Sequence, residues 1–162
     1  SGRIITFSSI SGLFGASGQA NYGAAKDGIA GLTRVLSKDL AKYNVTANAI
    51  SPGADTRMTA SVPDLTKQLR SQGQISPPGG ILTREPEDVA PMVVWLASDA
   101  SDGVTGQVFH CAGNMVGLMS NPGVVKTMDK QDRWKVEEIA AVYSTALGMD
   151  VVNPQPRITS KT

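Results

Sequence analysis

Residues 3–7 read Arg3-Ile4-Ile5-Thr6-Phe7, a short apolar and β-prone run that predicts a buried strand. A second run of the same kind, Val45-Thr46-Ala47-Asn48-Ala49-Ile50, ends at Ser51-Pro52-Gly53, because proline removes a backbone donor and glycine permits a turn. Between the two runs, apolar residues recur every three or four positions over about residues 20–41, which predicts a long amphipathic helix. A strand, a long helix and a second strand in this order predict a right-handed crossover between parallel strands.

The long helix carries two kinds of side chain at helical spacing. Large apolar residues form one row, which comprises Ile29, Leu32, Leu36 and Leu40. Small residues form a second face, which comprises Ala24, Gly28 and Gly31. Side chains this small let another backbone approach closely, so the second face is expected to meet a neighbouring helix.

The rest of the chain predicts one more strand and further helices. Residues 58–71 predict one or two short helices, and the Gly- and Pro-rich residues 72–80 predict a mobile loop. Pro86 starts a helix that runs to about Ser98, since proline fits the first helical turn. A third strand is expected over residues 107–111, closed by Ala112-Gly113, and a last helix over residues 132–147.

Length and composition place the chain among globular proteins. Its 162 residues are 41% apolar, and we expect residues 1–120 to form one domain and residues 121–162 an extension that packs on that domain or on a neighbouring subunit. The 15 basic and 14 acidic residues leave a net charge of +1, so neither a nucleic acid nor a membrane is an expected partner. A lone cysteine, with no signal peptide or membrane-spanning run, predicts a cytoplasmic location.

Three residues are candidates for catalysis. Tyr22 and Lys26 stand four residues apart on the predicted helix, so their side chains share one face. Tyrosine is a poor base at neutral pH, but an adjacent ammonium group favours the phenolate and makes a working acid/base. Ser9 follows the strand that feeds this helix, where parallel sheets place ligand-binding groups, and its hydroxyl can bond the same substrate oxygen. Taken alone, a Tyr-x3-Lys pair is more typical of a solvated helix face than of a catalytic pair.

Several blocks surround these residues in order: Gly2-Arg3-Ile4-Ile5, Ser8-Ser9, Gly18-Gln19-Ala20-Asn21-Tyr22-Gly23-Ala24-Ala25-Lys26, Asn48-Ala49-Ile50-Ser51-Pro52-Gly53 and Pro86-Glu87-Asp88-Val89-Ala90. Together they resemble the second half of classical short-chain dehydrogenases/reductases, over about residues 2 to 113. The resemblance implies an α/β fold, the C-terminal half of a Rossmann-like doubly wound parallel sheet, with strands 5 to 7 and their flanking helices.

The resemblance also implies a role for each motif residue. Ser9 would stabilise the substrate oxygen, Tyr22 would be the acid/base, and Lys26 would tune Tyr22. Tyr22 and Lys26 would also bind the cofactor, with Lys26 on the nicotinamide ribose hydroxyls. Hydride would pass between the nicotinamide and the carbonyl carbon of a small-molecule substrate while Tyr22 moves the proton.

The loop after the second strand would complete the cofactor site. Pro52 and Gly53 would line the nicotinamide in the family's pattern. Thr56 is the further cofactor-binding candidate, although it lies three residues beyond Gly53, where family members commonly have a threonine four beyond. No metal is expected, because His110 and Cys111 side by side do not make a coordination sphere and read as a packed or interface histidine and a small buried residue.

No Gly-x-Gly-x-x-Gly turn occurs in the chain, and the family's catalytic Asn has no counterpart in it. We therefore expect an upstream half that holds the pyrophosphate and selects NAD or NADP, with NAD the favoured cofactor. These 162 residues alone should bind neither cofactor usefully. The alternative is a non-catalytic fragment or interaction subunit that retains the motif.

A narrower resemblance points to a substrate. Residues 52–59, residues 105–109 and the long tail are similar to 3-hydroxyacyl-CoA dehydrogenase domains of multifunctional β-oxidation enzymes. This implies oxidoreduction between a secondary alcohol and a ketone, with a 3-hydroxyacyl-CoA or 3-oxoacyl thioester as the candidate substrate. Arg57 either meets an anionic substrate or pairs with Asp55 or solvent. The family's long helix commonly packs on its symmetry mate, which implies a homodimer or homotetramer through residues 20–41.

Overall fold

The computed structural model describes residues 1–55 and 84–151. Within them four strands form one sheet in chain order: β1 Gly2–Phe7, β2 Val45–Pro52, β3 Val108–Ala112 and β4 Met115–Leu118. Strands β1, β2 and β3 are parallel, with Phe7 opposite Ile50 and Ile50 opposite Phe109. The α/β class with a parallel sheet, predicted from the sequence, is confirmed.

Strand β4 was not expected. It runs antiparallel to β3, with Met115 opposite Ala112. The third strand ends at Ala112 as predicted, but the sheet continues into a fourth strand that the sequence analysis did not include. A two-residue loop, Gly113-Asn114, joins the strands, and Gly113 takes the left-handed conformation (φ 54°) that such tight hairpins require. A Gly-Asn pair between two apolar runs is a hairpin signal that could have predicted β4.

The helices lie close to their predicted positions and differ in their ends. The long helix α2 spans Ala20–Asp39 and is followed by a 3-10 turn at Ala41–Tyr43, so it ends two residues before the predicted limit. A short helix, α1, occupies Ile10–Leu13 before it. A 3-10 turn at Pro86–Val89 leads into α3, Ala90–Ala97.

The last helix, α4, covers only Val136–Val142 of the predicted range 132–147. It begins where the side chain of Glu138 reaches back to accept the N–H of Lys135 at 2.8 Å, which satisfies a free donor of the first turn. A 3-10 turn at Tyr143–Thr145 ends it. Helix α4 belongs to a second compact unit that starts at Pro122, and the first unit ends at Asn121. How residues 121–162 pack stays a prediction.

The two faces of the sheet carry separate apolar clusters. On the face covered by α3, the buried residues are Ile50, Val89, Leu96 and Cys111. On the face covered by α2, they are Ala30, Ala49 and Val108. Side chains alternate between faces along a strand, which explains how neighbouring strand residues serve different clusters.

Helix α2 buries only in part the row of large apolar residues that predicted it, since three of the four are half-buried and Leu32 is exposed. Ala30 and Thr33 are fully buried, whereas Leu32 is 50% exposed and Val35 53% exposed. The sheet residues beneath α2 include the small Ala49, which lets the helix backbone come close, so small helix residues fill the contact. Leu32 and Val35 are left facing outward. Among the described residues, no helix is both long and apolar enough to cross a bilayer.

Candidate active site at the carboxyl ends of the parallel strands

The carboxyl ends of β1 and β2 lie side by side at one edge of the sheet. The N–H of Ser8 donates to the carbonyl oxygen of Ile50 at 2.7 Å, which continues the pairing beyond the last residue of β1. Ser9, two residues beyond β1, and Pro52, the last residue of β2, therefore stand at adjacent strand ends. This is the edge at which parallel sheets place ligand-binding residues.

Ser9 occupies the N-cap position of α1. Its Oγ accepts the N–H of Ser11 at 3.2 Å, and its carbonyl oxygen accepts the N–H of Gly12 at 3.0 Å. The cap uses the oxygen of the hydroxyl as an acceptor and leaves its hydrogen to donate elsewhere. A largely buried residue, Ser9 is thus held in place by the backbone of the helix that it starts.

Tyr22 and Lys26 lie together on the first turns of α2. The Lys26 Nζ is 5.7 Å from the centre of the Tyr22 ring, and Tyr22 is 43% exposed. The same Nζ donates to the carbonyl oxygen of Phe7 at 2.9 Å. Since Phe7 is the last residue of β1 and Ser9 follows two residues later, the Tyr22–Lys26 pair sits at the strand end that carries Ser9.

Helices α1 and α2 touch backbone to backbone at this edge. A Cβ atom on Gly12 would lie 2.6 Å from the amide nitrogen of Asp27 and 2.9 Å from the carbonyl oxygen of Gly23. A Cβ on Gly23 would lie 3.2 Å from the carbonyl oxygen of Ser11. Sequence reasoning missed both glycines. A signal was present, because glycine in a helix costs stability and its occurrence there indicates a close contact.

The loop after β2 is fixed against β3. The N–H of Gly53 donates to the carbonyl oxygen of Cys111 at 2.8 Å, and a Cβ on Gly53 would lie 2.8 Å from the Cβ of Ala112. Any side chain at residue 53 would push this loop away from the sheet. The remaining loop candidates, Thr56 and Arg57, lie outside the described residues, as do the helices and loop predicted over residues 58–80.

His110 and Cys111 are packing residues of β3. The Nδ1–H of His110 donates to the carbonyl oxygen of Ser51 at 2.8 Å. Burial lowers the pKa of His110 against the opposing effect of that carbonyl, and the charge of Arg84 lowers it further. Burial also raises the pKa of the Cys111 thiol to about 11. Both side chains are therefore uncharged near neutral pH, as residues inside a core should be.

Known proteins match this chain along most of its length. A family model described as enoyl-(acyl carrier protein) reductase matches residues 1–115. A 3-oxoacyl-[acyl-carrier-protein] reductase of Chlamydia trachomatis is 45% identical over 116 residues, which are 71% of this chain and 45% of the relative. Hydroxyacyl-CoA dehydrogenase ChsB1 of Mycobacterium tuberculosis is 40% identical over 141 residues, which are 86% of this chain and 42% of the relative.

A solved structure is also similar to this chain. The crystal structure of a short chain dehydrogenase from Mycobacterium avium is 37% identical and superposes with a TM-score of 0.71 over 90% of this chain and 44% of the other. The chain therefore spans about half the length of the proteins that it matches. That half contains every residue of the site described above.

Proposed function

The chain belongs to the short-chain dehydrogenase/reductase family, and from that membership we propose that it supplies the acid/base side chains of an oxidoreductase that interconverts a secondary alcohol and a ketone with NAD or NADP. One observation carries the proposal: Tyr22 and Lys26 lie side by side at the end of the strand that leads into Ser9. The competing interpretation is that Tyr22 and Lys26 are an ordinary pair on a solvated helix face. That interpretation does not explain why the pair lies beside a serine that caps a helix at a strand end.

We propose that the proton moves through Tyr22. In the reducing direction, the Tyr22 hydroxyl donates a proton to the substrate oxygen, and in the oxidising direction the phenolate takes it back. The positive charge of Lys26, at 5.7 Å from the ring, can stabilise negative charge that develops on the Tyr22 oxygen during the transfer. Ser9 donates its remaining hydrogen to the same substrate oxygen, which its cap geometry leaves possible.

The donor set at this edge fits a nicotinamide cofactor. A bound nicotinamide supplies or accepts the hydride of the reaction. Lys26 is the residue that would hold the ribose hydroxyls, because an ammonium group has three donors and the bond to Phe7 uses one of them. Pro52 and Gly53 would line the ring, with the Gly53 main chain fixed by its bond to Cys111. Thr56 remains the further candidate in this loop, and NAD the favoured cofactor.

A thioester is the proposed substrate class, with 3-hydroxyacyl-CoA ahead of the acyl-carrier-protein form. Both relatives have names that refer to acyl thioester chemistry. The likeness to the acyl-carrier-protein reductase covers 116 residues, whereas the likeness to the hydroxyacyl-CoA dehydrogenase covers 141. The longer match supports the CoA form, because the extra length reaches into the unit that begins at Pro122.

We propose that the protein is a homodimer or homotetramer in which α2 meets its symmetry mate. The outward stripe of α2, with helical spacing, combines Ala24 and Gly28 with the half-exposed Leu32 and Val35. A Cβ on Gly28 would meet no atom of the described residues within 4 Å, so a close partner could reach the helix backbone there. Exposed apolar residues beside small ones are typical of helix interfaces.

A substrate panel tests the proposed function. The natural polypeptide that contains these 162 residues is incubated with 3-hydroxyacyl-CoA of several chain lengths and with NAD or NADP, while absorbance at the reduced-nicotinamide band is followed. We expect reduction of NAD with a 3-hydroxyacyl-CoA and slower reaction with a simple secondary alcohol. Cofactor binding without turnover of any alcohol or ketone would instead favour the non-catalytic interaction subunit.

A further inference from the structure

A second serine, Ser8, connects the strand end to the helix that carries Tyr22 and Lys26. Its hydroxyl donates to the main-chain carbonyl oxygen of Lys26 at 2.7 Å, and the residue is only 2% exposed. Inside a helix this carbonyl already accepts the N–H four residues on, so Ser8 uses its second lone pair. Because water cannot replace a lost partner of a buried hydroxyl, breaking this hydrogen bond would cost free energy.

Lys26 is bound to the same strand end a second time. Its Nζ donates to the carbonyl oxygen of Phe7 at 2.9 Å, one residue before Ser8. The main chain and the side chain of Lys26 are thus tied to two consecutive residues of the strand end. These two bonds fix both the rotation of α2 about its axis and the reach of the Lys26 side chain, and Tyr22 lies one turn earlier on the same helix.

We propose that Ser8 is a positioning residue for the reaction, acting through Lys26. This inference rests on the proposed oxidoreductase function. By holding the Lys26 carbonyl against the end of β1, Ser8 sets where the Lys26 ammonium and the Tyr22 hydroxyl stand relative to Ser9. Small displacements of reacting groups cost large factors in rate, so a bond that fixes their register has a catalytic effect beyond its contribution to folding.

The chain provides a matched control for this bond. The hydroxyls of Thr6 and Thr33 are hydrogen-bonded at 2.7 Å, and they also join β1 to α2. This second bond lies two residues earlier on the strand and seven residues later on the helix, away from the candidate catalytic groups. Loss of either bond should loosen the same strand–helix contact, but only loss of the Ser8 bond removes a contact to Lys26.

The test compares Ser8→Ala with Thr6→Val in the natural polypeptide. For Ser8→Ala we expect kcat to fall about 10- to 100-fold with KM for the thioester within about threefold of wild type. The pH–rate profile should differ from that of wild type, because the ammonium group and the Tyr22 hydroxyl no longer keep the same separation. Thr6→Val should lower the urea midpoint by a similar amount yet keep the wild-type kcat and pH profile. Ser8→Thr, which restores the hydroxyl, should recover kcat.

Two further measurements keep the outcomes distinct. Ser8→Cys preserves the shape and weakens the donor, so it shows the same loss of kcat if Ser8→Ala fails to fold. At fixed pH, the carbon-13 shift of the labelled Tyr22 ring should change in Ser8→Ala and Ser8→Cys and not in Thr6→Val, whether or not the wild type turns over. Wild-type turnover alone reports on the proposed function. Wild-type kcat, pH profile and Tyr22 shift in Ser8→Ala and Ser8→Cys would overturn the positioning role.

Discussion

The backbone contact between α1 and α2 predicts that the substitution Gly12→Ala lowers the free energy of unfolding. In Gly12→Ala, the new Cβ would stand 2.6 Å from the amide nitrogen of Asp27, about 0.8 Å short of the 3.4 Å at which ordinary contact begins. The atoms that it meets are main chain, so no side chain can rotate away. Either α1 moves off α2 or both helices bend.

The expected cost follows from two opposing effects. Overpacking of a tight contact costs about 1–3 kcal/mol, and replacing glycine by alanine in a helix returns about 0.5–1 kcal/mol. The net loss of about 1–2 kcal/mol should lower the urea midpoint by about 0.5–1 M, given m-values near 2 kcal/mol/M for a chain of this size. Since Ser9 caps α1 and Tyr22 stands on α2, kcat should also fall, by about tenfold.

Gly31→Ala is the matched control, because residue 31 is also a helical glycine. A Cβ there meets only the flexible end of Arg34 at 3.9 Å. We expect this variant to raise the free energy of unfolding by about 0.5–1 kcal/mol and to leave kcat unchanged. Equilibrium urea unfolding followed by fluorescence, with turnover measured on the same samples, gives both numbers. A Gly12→Ala protein as stable and as active as Gly31→Ala would refute the close-contact argument.

Three further predictions concern the cofactor, the assembly and the core. Lys26→Ala should weaken cofactor binding by about tenfold or more, since a ribose donor is lost, and should lower kcat, since a positive charge near Tyr22 is lost as well. Unchanged binding by calorimetry would contradict the role of Lys26. Gly28→Leu should reduce the oligomer to smaller species in sedimentation without loss of stability, because a Cβ at residue 28 meets nothing within 4 Å in the part of the chain that the structure describes. An unchanged sedimentation coefficient would place the interface elsewhere. Burial raises the pKa of Cys111 to about 11, so about one thiol per thousand should be ionised at pH 8. The residue should react with iodoacetamide far more slowly in the folded protein than in urea. Equal rates would show that the end of β3 is accessible to solvent.

The sequence predicted the three parallel strands and α2 because their signals are local. Apolar runs bounded by turn residues and helical spacing near Tyr22 need no knowledge of partners. The exposed face of α2 could not be predicted in the same way. From its spacing alone, Leu32 is predicted to lie in the core. The structure instead packs the small Ala30 against the small Ala49 of the sheet, and this pairing joins residues that are distant in sequence.

In the candidate site too, local features could be predicted from the sequence and long-range contacts could not. Tyr22 and Lys26 follow from a spacing of four residues, whereas the contacts that orient them do not. The Ser8 hydroxyl reaches Lys26 across 18 residues of chain, and Gly12 meets Asp27 only because two helices fold together. Such contacts depend on tertiary geometry. A glycine inside a helix indicates a close contact but does not identify the residue that it meets, and a single serine indicates neither.

The central claim is that Tyr22 moves the proton, and one variant tests it most directly. Turnover of a 3-hydroxyacyl-CoA and calorimetric binding of the cofactor are measured for wild type and Tyr22→Phe. The substitution deletes the hydroxyl of a residue that is 43% exposed and leaves the packing of α2 intact. We expect kcat to fall at least about 100-fold while the cofactor Kd stays within about threefold. A Tyr22→Phe protein that keeps kcat within about threefold of wild type would contradict the account.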